Sequence, residues 1–194
     1  MLVITMDGDS KPPPRRVELY VRSLQPEGYC QQQASLLDRV AGLVARDVVS
    51  ERQVHVCGCQ VPASVADANT TAGVWILTRI SQFRQWADRN DCTLEPAMED
   101  RDVGESLVDT GYRAVRLPAI LLAEFRGTEL CCVTPHRADE TVRTVADRIA
   151  QLEDGDPTEF EPLPDAAGPS PPRRAESDAA DADTGEEPLT LPGR

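Results

Sequence analysis

The residues of this sequence that could act as nucleophiles or metal ligands are six cysteines and two histidines. His55, Cys57 and Cys59 alternate along a predicted strand, so their side chains point to one face and could begin a zinc or copper site. The remaining ligand would come from one of three later residues, namely Cys131, Cys132 or His136. The Cys-x-x-Cys pairs of metal fingers are missing, and buried strands also accept cysteine as a small apolar side chain, so core packing is the alternative.

Cys30 lies where the first predicted strand gives way to the first predicted helix. A helix N-terminus stabilises a thiolate, so Cys30 is a candidate nucleophile. Its neighbours three positions away are Glu27 and Gln33, so it would act as a single thiol; a chance position near the helix start is the alternative. The sequence shows no Ser–His–Asp arrangement, glycine-rich phosphate loop or pair of catalytic carboxylates. We therefore expect a protein that is not an enzyme and needs no cofactor.

A partner-binding patch is the third candidate site, on the helix predicted over residues 74–90. Trp75, Arg79 and Trp86 fall on one side of this helix, roughly 80–100° away from its apolar stripe at about 100° per residue. Aromatic and arginine side chains contribute most of the binding energy in many interfaces. The pattern favours another protein as the partner, and the margin of the hydrophobic core is the alternative.

The elements that position these candidates follow from hydrophobic periods that alternate along the chain. The periods predict strands over 17–24, 53–61, 112–125 and 129–133, a short strand near 98–103, and helices over 31–49, 74–90 and 139–152. A helix joins the first two strands, so these are expected to be parallel. Asp139 would cap the last helix, whose inward face would hold Val142, Val145, Ile149 and Leu152. The order β-α-β-α-β-β-α predicts a single α/β domain with a mixed sheet.

Charge divides the chain into three parts. Acidic residues outnumber basic ones 33 to 20, and residues 154–194 hold eleven of the acids against three arginines. With its many prolines, this segment is predicted to be a disordered acidic tail, after a domain over 15–153 and a flexible leader over 1–14.

Lys11 is the only lysine, which is typical of proteins from salt-loving archaea or of a GC-rich genome. Cysteines without a signal peptide or a long apolar span favour the cytoplasm and no membrane contact.

The element order over residues 17–152 resembles the thioredoxin-like fold, in which a parallel βαβ half is followed by a helix, an antiparallel hairpin and a last helix. In that family a cis-proline precedes the first hairpin strand, and Leu117-Pro118-Ala119 occupies the matching place. The resemblance implies an alternative function, in which Cys30 serves as a single thiol or the cysteines near His55 bind a metal.

Four further segments carry a second resemblance: VELYVRSL (17–24), FRQWA (83–87), RLPAILLAE (116–124) and TVRTVADRI (141–149). Together they are similar to a family of small haloarchaeal proteins labelled helix-turn-helix domain proteins. This resemblance implies a transcription regulator with DNA as its partner. We therefore expect a non-catalytic regulatory or interaction protein, with a thiol or metal-binding protein as the alternative.

Overall fold

The computed structural model describes residues 13–24, 30–68, 70–103, 112–156, 159–166 and 168. Three helices lie in these residues, namely α1 (Cys30–Ala45), α2 (Thr71–Arg89) and α3 (Val145–Asp154). The strands there are β1 (Arg15–Val21), β2 (Glu51–Val56), β3 (Gln60–Pro62), β4 (Cys92–Thr93), β5 (Glu99–Val103), β6 (Tyr112–Arg116), β7 (Ile120–Arg126), β8 (Glu129–Thr134), β9 (His136–Ala138) and β10 (Thr141–Arg143). The predicted α/β class is confirmed. Residues 1–12 of the predicted leader and 169–194 of the predicted tail lie outside the described residues.

A four-stranded sheet in the order β2-β1-β7-β8 forms the centre of the fold. β1 pairs with β2 in parallel, as predicted, whereas β7 pairs antiparallel with both β1 and β8. The turn between β7 and β8 lies at Gly127, with a φ of 59°, also as predicted. Helices α1 and α3 cover the face that holds Val17 and Leu19, and α2 covers the face that holds Tyr20 and Phe125. Because successive side chains of a strand point to opposite faces, the central sheet contributes to two separate hydrophobic cores.

The predicted strand over 112–125 is wrong as a single element, because the chain passes from one sheet to another at Pro118. β6 belongs to a second sheet in the order β3-β6-β5, and β7 begins two residues after Pro118. Proline has no N–H to donate to a ladder, which explains the break. The cis bonds in the described residues are Glu95–Pro96 and Thr134–Pro135, whereas Leu117–Pro118 is trans. The cis-proline that the thioredoxin-like resemblance implied is therefore absent at this position.

The third helix begins later than predicted. Asp139 does not cap it: this residue lies in the turn between β9 and β10, with a φ of 52°. Thr144 is the N-cap, in a capping box with Asp147, and α3 starts at Val145. Val142 lies in β10 with 51 % of its surface exposed, so its predicted inward position is wrong. The other three predicted core positions, Val145, Ile149 and Leu152, are buried.

Residues 159–166 pack against the domain, although they fall within the segment predicted as a disordered tail. The backbones of Leu163 and Leu130 exchange two hydrogen bonds, each 2.9 Å. The ring of Phe160 packs between those of Trp86 and His136, and Ala166 is buried. A few apolar residues among prolines and acids are thus sufficient to hold this stretch on the sheet and α2. Among the described residues, no helix is long and apolar enough to cross a membrane.

Candidate nucleic-acid interface

Helix α2 is the longest described helix, at 19 residues, and it presents one face to solvent. Its N-cap is Thr70, whose side chain accepts a hydrogen bond from Gly73 N at 3.0 Å. The inner face packs against the central sheet through six buried residues, namely Ile76, Arg79, Ile80, Phe83, Trp86 and Ala87. The outer face is exposed at Thr78, Ser81, Gln85 and Asp88. This division is the one expected for an amphipathic helix.

The outer face of α2 is rich in uncharged hydrogen-bonding groups. Ser81 and Gln85 are one turn apart, and the Gln85 amide nitrogen lies 3.3 Å from the Ser81 hydroxyl oxygen. Thr78 is exposed and donates its hydroxyl to the carbonyl of Val74 at 3.0 Å. Hydroxyl and amide side chains on a helix are suited to the edges of base pairs in the major groove, which admits one helix. The helix is about 28 Å long, enough to lie along such a groove.

Two exposed arginines flank this face, and each is held by a carboxylate from another element. Arg84 lies 2.5 Å from Asp100 of β5, and Arg89 lies 2.5 Å from Glu161. The side chains of Arg84 and Arg89 are 43 % and 41 % exposed, so solvent weakens both ion pairs. A phosphate could therefore take the place of either carboxylate at small cost. Guanidinium groups bind phosphate in the same two-pronged geometry as carboxylate.

The predicted partner-binding patch of Trp75, Arg79 and Trp86 does not form an exposed surface. Trp86 is fully buried, and its indole N–H donates to the carbonyl of Cys131 at 3.1 Å. Arg79 is 3 % exposed and pairs with Glu18 at 3.1 Å. Trp75 is half-buried, with its ring 6.0 Å from that of Tyr20. The three residues do lie on one flank of the helix, as predicted, but residues distant in sequence cover this flank. It is therefore the margin of the hydrophobic core, which was the alternative interpretation.

The predicted alignment of His55, Cys57 and Cys59 on one strand is wrong. β2 ends at Val56, and Gly58, with a φ of 75°, turns the chain towards β3 in the second sheet. The His55 ring packs between the rings of Tyr20 and Trp75, at centroid distances of 5.0 and 4.8 Å. The part of the chain that the structure describes holds no group of three His, Cys, Asp or Glu side chains placed to bind a metal. His55 and Cys57 pack at the sheet edge, whereas Cys59 is exposed.

The thiols with resolved pKa shifts are poor nucleophiles. Burial raises the pKa of Cys57 to about 12 and that of Cys131 to about 11, and it raises the pKa of Cys132 further. His136 is buried, with its Nδ1 2.6 Å from the carbonyl oxygen of Val133, and burial lowers its pKa. Cys30 is the first residue of α1, and its side chain lies outside the described residues. Cys57, Cys131 and Cys132 therefore do not support a reactive thiol, and the monothiol alternative at Cys30 stays a prediction.

Two buried carboxylates on the central sheet were not identified from the sequence. Glu18 of β1 accepts hydrogen bonds from Arg16, Arg79 and the Tyr20 hydroxyl, on the α2 face. This contact anchors α2 to the sheet. A sequence signal existed, because Glu18 interrupts the apolar segment VELYV, where an unpaired charge would be costly.

Glu124 of β7 is the second buried carboxylate, and it lies on the opposite face of the same sheet. Arg148 of α3 donates to one of its oxygens from Nε at 3.0 Å and from Nη2 at 2.6 Å. Arg15 Nε lies 2.9 Å from the other oxygen. α2 and α3 are thus each joined to the sheet by one arginine that pairs with a buried carboxylate, and the second arginine at each carboxylate belongs to β1.

Among families of known proteins, a model described as a helix-turn-helix domain matches residues 9–157, which are 149 of the 194 residues. This range contains β1 to β10 and all three described helices. No curated protein and no solved structure matches the sequence.

Proposed function

The chain belongs to the helix-turn-helix domain family, and from this membership we propose that it is a non-catalytic transcription regulator that binds DNA through the outer face of α2. The observation that carries the proposal is the family match over residues 9–157. It is supported by the polar outer face of α2, where Ser81 and Gln85 lie beside the exposed Arg84. In this arrangement the arginine would contact phosphate and the amide would read base edges.

Helix α2 is better suited to this role than the other described helices. α3 has only ten residues, and its exposed positions include the acidic Asp147 and Asp154. In α1, the basic residue Arg39 is turned towards α3, where it pairs with Glu153 at 2.7 Å. Arg84, by contrast, lies beside an exposed row of hydroxyl and amide groups.

The net charge of −13 means that long-range electrostatics repel DNA, so affinity must come from short-range contacts. Because each exposed arginine of α2 is already paired with a carboxylate, binding exchanges one anion for another. We therefore expect specific binding that persists at high potassium chloride concentration, where the repulsion is screened. Binding that required low salt would point to non-specific attraction.

The experiment starts from a pool of random duplexes of about 20 base pairs, two turns of DNA. The full-length protein enriches bound duplexes over successive rounds, and the enriched duplex is labelled with fluorescein and titrated by anisotropy. We expect Arg84→Glu to weaken binding about tenfold or more, because it replaces a phosphate contact with a repulsion. Gln85→Ala should reduce discrimination at one base pair by about 1–3 kcal/mol.

Arg46→Glu is the matched control. Arg46 is an exposed arginine that also pairs with a carboxylate, Glu153 at 3.7 Å, but it follows the last residue of α1, on the opposite face of the sheet. We expect Arg46→Glu to bind the duplex like the wild type. The proposal is refuted if no duplex is enriched, or if Arg84→Glu and Arg46→Glu weaken binding equally.

A further inference from the structure

Residues 159–166 and Gly168, named here the C-terminal strap, run alongside α2 in the direction opposite to the helix. At the C-terminal end of α2, Glu161 N donates to the side-chain oxygen of Asn90 at 2.7 Å, and the Asn90 amide returns a bond to the Glu161 carbonyl at 3.0 Å. Further along, Arg79 donates to the carbonyl of Ala166 at 2.5 Å. Asn90 and Arg79 are eleven residues apart, so the strap follows α2 for about 16 Å.

Besides these hydrogen bonds, the strap is attached by one aromatic side chain and one short backbone pairing. Phe160 meets the ring of Trp86 at a centroid distance of 5.2 Å and that of His136 at 5.0 Å, both edge-to-face. Leu163 exchanges two backbone hydrogen bonds with Leu130 of β8. Because β8 is an edge strand of the central sheet, the strap can leave it without breaking the pairing between the strands of that sheet.

The strap supplies a carboxylate to the surface on which we place DNA. Glu161 pairs with Arg89, one of the two exposed arginines beside the outer face of α2. Both partners are largely in water, since the Glu161 side chain is 61 % exposed, so a competing anion can replace the carboxylate. Glu161 accepts from Nη2 of Arg89, so a phosphate that took the paired N–H donors of this guanidinium would have to displace the carboxylate.

The described end of the strap lies at the same surface. Gly168 lies beside the amide of Gln82, on the flank of α2. The strap itself holds three acidic residues, Glu159, Glu161 and Asp165, and no basic residue. The strap therefore brings negative charge to the helix that would otherwise face phosphates.

We propose that the C-terminal strap is an autoinhibitory element that competes with DNA phosphates for Arg89 and the flank of α2. This inference rests on the proposed DNA-binding function. DNA binding then requires Glu161 to leave Arg89, and Phe160 to leave Trp86 where the duplex extends over the end of the helix. A partner that captured the strap would increase the affinity of the protein for DNA.

Tryptophan fluorescence can follow the strap directly, because the chain has two tryptophans and only Trp86 contacts Phe160. In Trp75→Phe, Trp86 is the only reporter. We expect the enriched duplex to change Trp86 emission in this variant, and to change it much less in Trp75→Phe/Phe160→Ala, where the strap is already released. We expect Phe160→Ala to bind the enriched duplex more tightly than the wild type, because its strap is released. An unlabelled peptide of residues 159–168 should reverse this gain in affinity.

Glu161→Gln tests the competition without touching the core, because this side chain is exposed. We expect about three- to tenfold tighter binding of the enriched duplex, which corresponds to the loss of one competing charge contact. Glu159→Gln is the matched control: Glu159 belongs to the same strap but lies 3.7 Å from Arg143 of β10, away from α2. It should bind like the wild type.

The outcomes separate this inference from the function on which it rests. If Glu161→Gln binds like the wild type, or if Glu159→Gln gains as much affinity, the strap does not compete at Arg89. If Trp86 emission is unchanged by saturating DNA, the strap is not displaced. Either result overturns the inference while the loss of binding in Arg84→Glu still supports the proposed function. If Arg84→Glu binds like the wild type, the proposed function fails, and the strap inference fails with it.

Discussion

The buried network of Arg15, Glu124 and Arg148 provides the sharpest test of how this fold is held together. We consider Glu124→Gln, which preserves the shape of the side chain and removes its charge. In the wild type, one carboxylate oxygen accepts two hydrogen bonds from Arg148, and the other lies 2.9 Å from Arg15. Arg148 is only 4 % exposed, so its charge cannot be solvated where it lies.

The expected loss follows from these contacts. The glutamine carbonyl can still accept from one arginine, but its amide group places N–H donors against the donors of the other. The variant therefore loses about two charge-assisted hydrogen bonds, each contributing about 1.5–3 kcal/mol, and leaves an uncompensated buried cation. We expect the free energy of unfolding to fall by about 3–5 kcal/mol.

Urea is the appropriate denaturant for this measurement because it is uncharged and leaves ion pairs unscreened. The matched control is Glu153→Gln, whose partner Arg39 is one-third exposed, and its cost should stay below about 1 kcal/mol. The double variant Glu124→Leu/Arg148→Met should recover most of the loss, because an apolar pair leaves no buried charge. A cost below about 1 kcal/mol for Glu124→Gln would refute the idea that this network holds α3 on the sheet.

Three further outcomes are expected. Burial lowers the pKa of His136, so between pH 6.5 and its folded pKa the unfolded chain binds a proton that the folded protein does not; the free energy of unfolding should decrease as the pH is lowered through this window, by up to about 1.4 kcal/mol per unit, and urea titrations of His136→Gln should show a smaller slope than the wild type. Thr144→Ala should cost about 1 kcal/mol by removing the N-cap of α3, whereas Thr144→Ser should not; equal costs would exclude the cap as the cause. Iodoacetamide at pH 8 should alkylate the exposed Cys59 in the folded protein and the buried Cys131 only after unfolding, as peptide mass spectrometry would show; early labelling of Cys131 would contradict its burial.

The parts of the fold that could be predicted are those whose pattern is local. β1 and α2 follow from regular apolar periods, and the short strand expected near 98–103 is present as β5. The second sheet could not be predicted, because β3 has three residues and pairs with β6 across more than fifty positions. In α3 a local signal was available and missed: Thr144 and Asp147 have the spacing of a capping box, whereas Asp139 stands alone.

The candidate sites failed for a different reason, which is that exposure is not a local property. Trp86 lies off the apolar stripe of α2, but β8 and the strap bury it from the side. Phe160 belongs to an acidic, proline-rich segment whose composition indicates disorder, and no period shows that a single aromatic side chain would attach it. His55 lies in β2, but the strand ends at Val56, and Gly58 turns the chain between Cys57 and Cys59. Spacing predicts a shared face only while the element continues.

The family description and the geometry together limit how this protein could hold DNA. A helix-turn-helix motif in the strict sense joins two helices by a turn of three or four residues. In the described residues, α1 and α2 are each followed by a strand, and α3 is followed by the strap.

A helix that enters DNA in this fold must therefore be held in place by the sheet and not by a second helix. α2 meets this requirement, because Arg79 fixes it to Glu18 and Trp86 fixes it to Cys131. Since the Arg79 and Trp86 contacts lie on the inner face, a substitution at Arg84 changes the surface of α2 and leaves its contacts with the sheet intact. A loss of DNA binding in Arg84→Glu would therefore report on contact with DNA and not on a displaced helix.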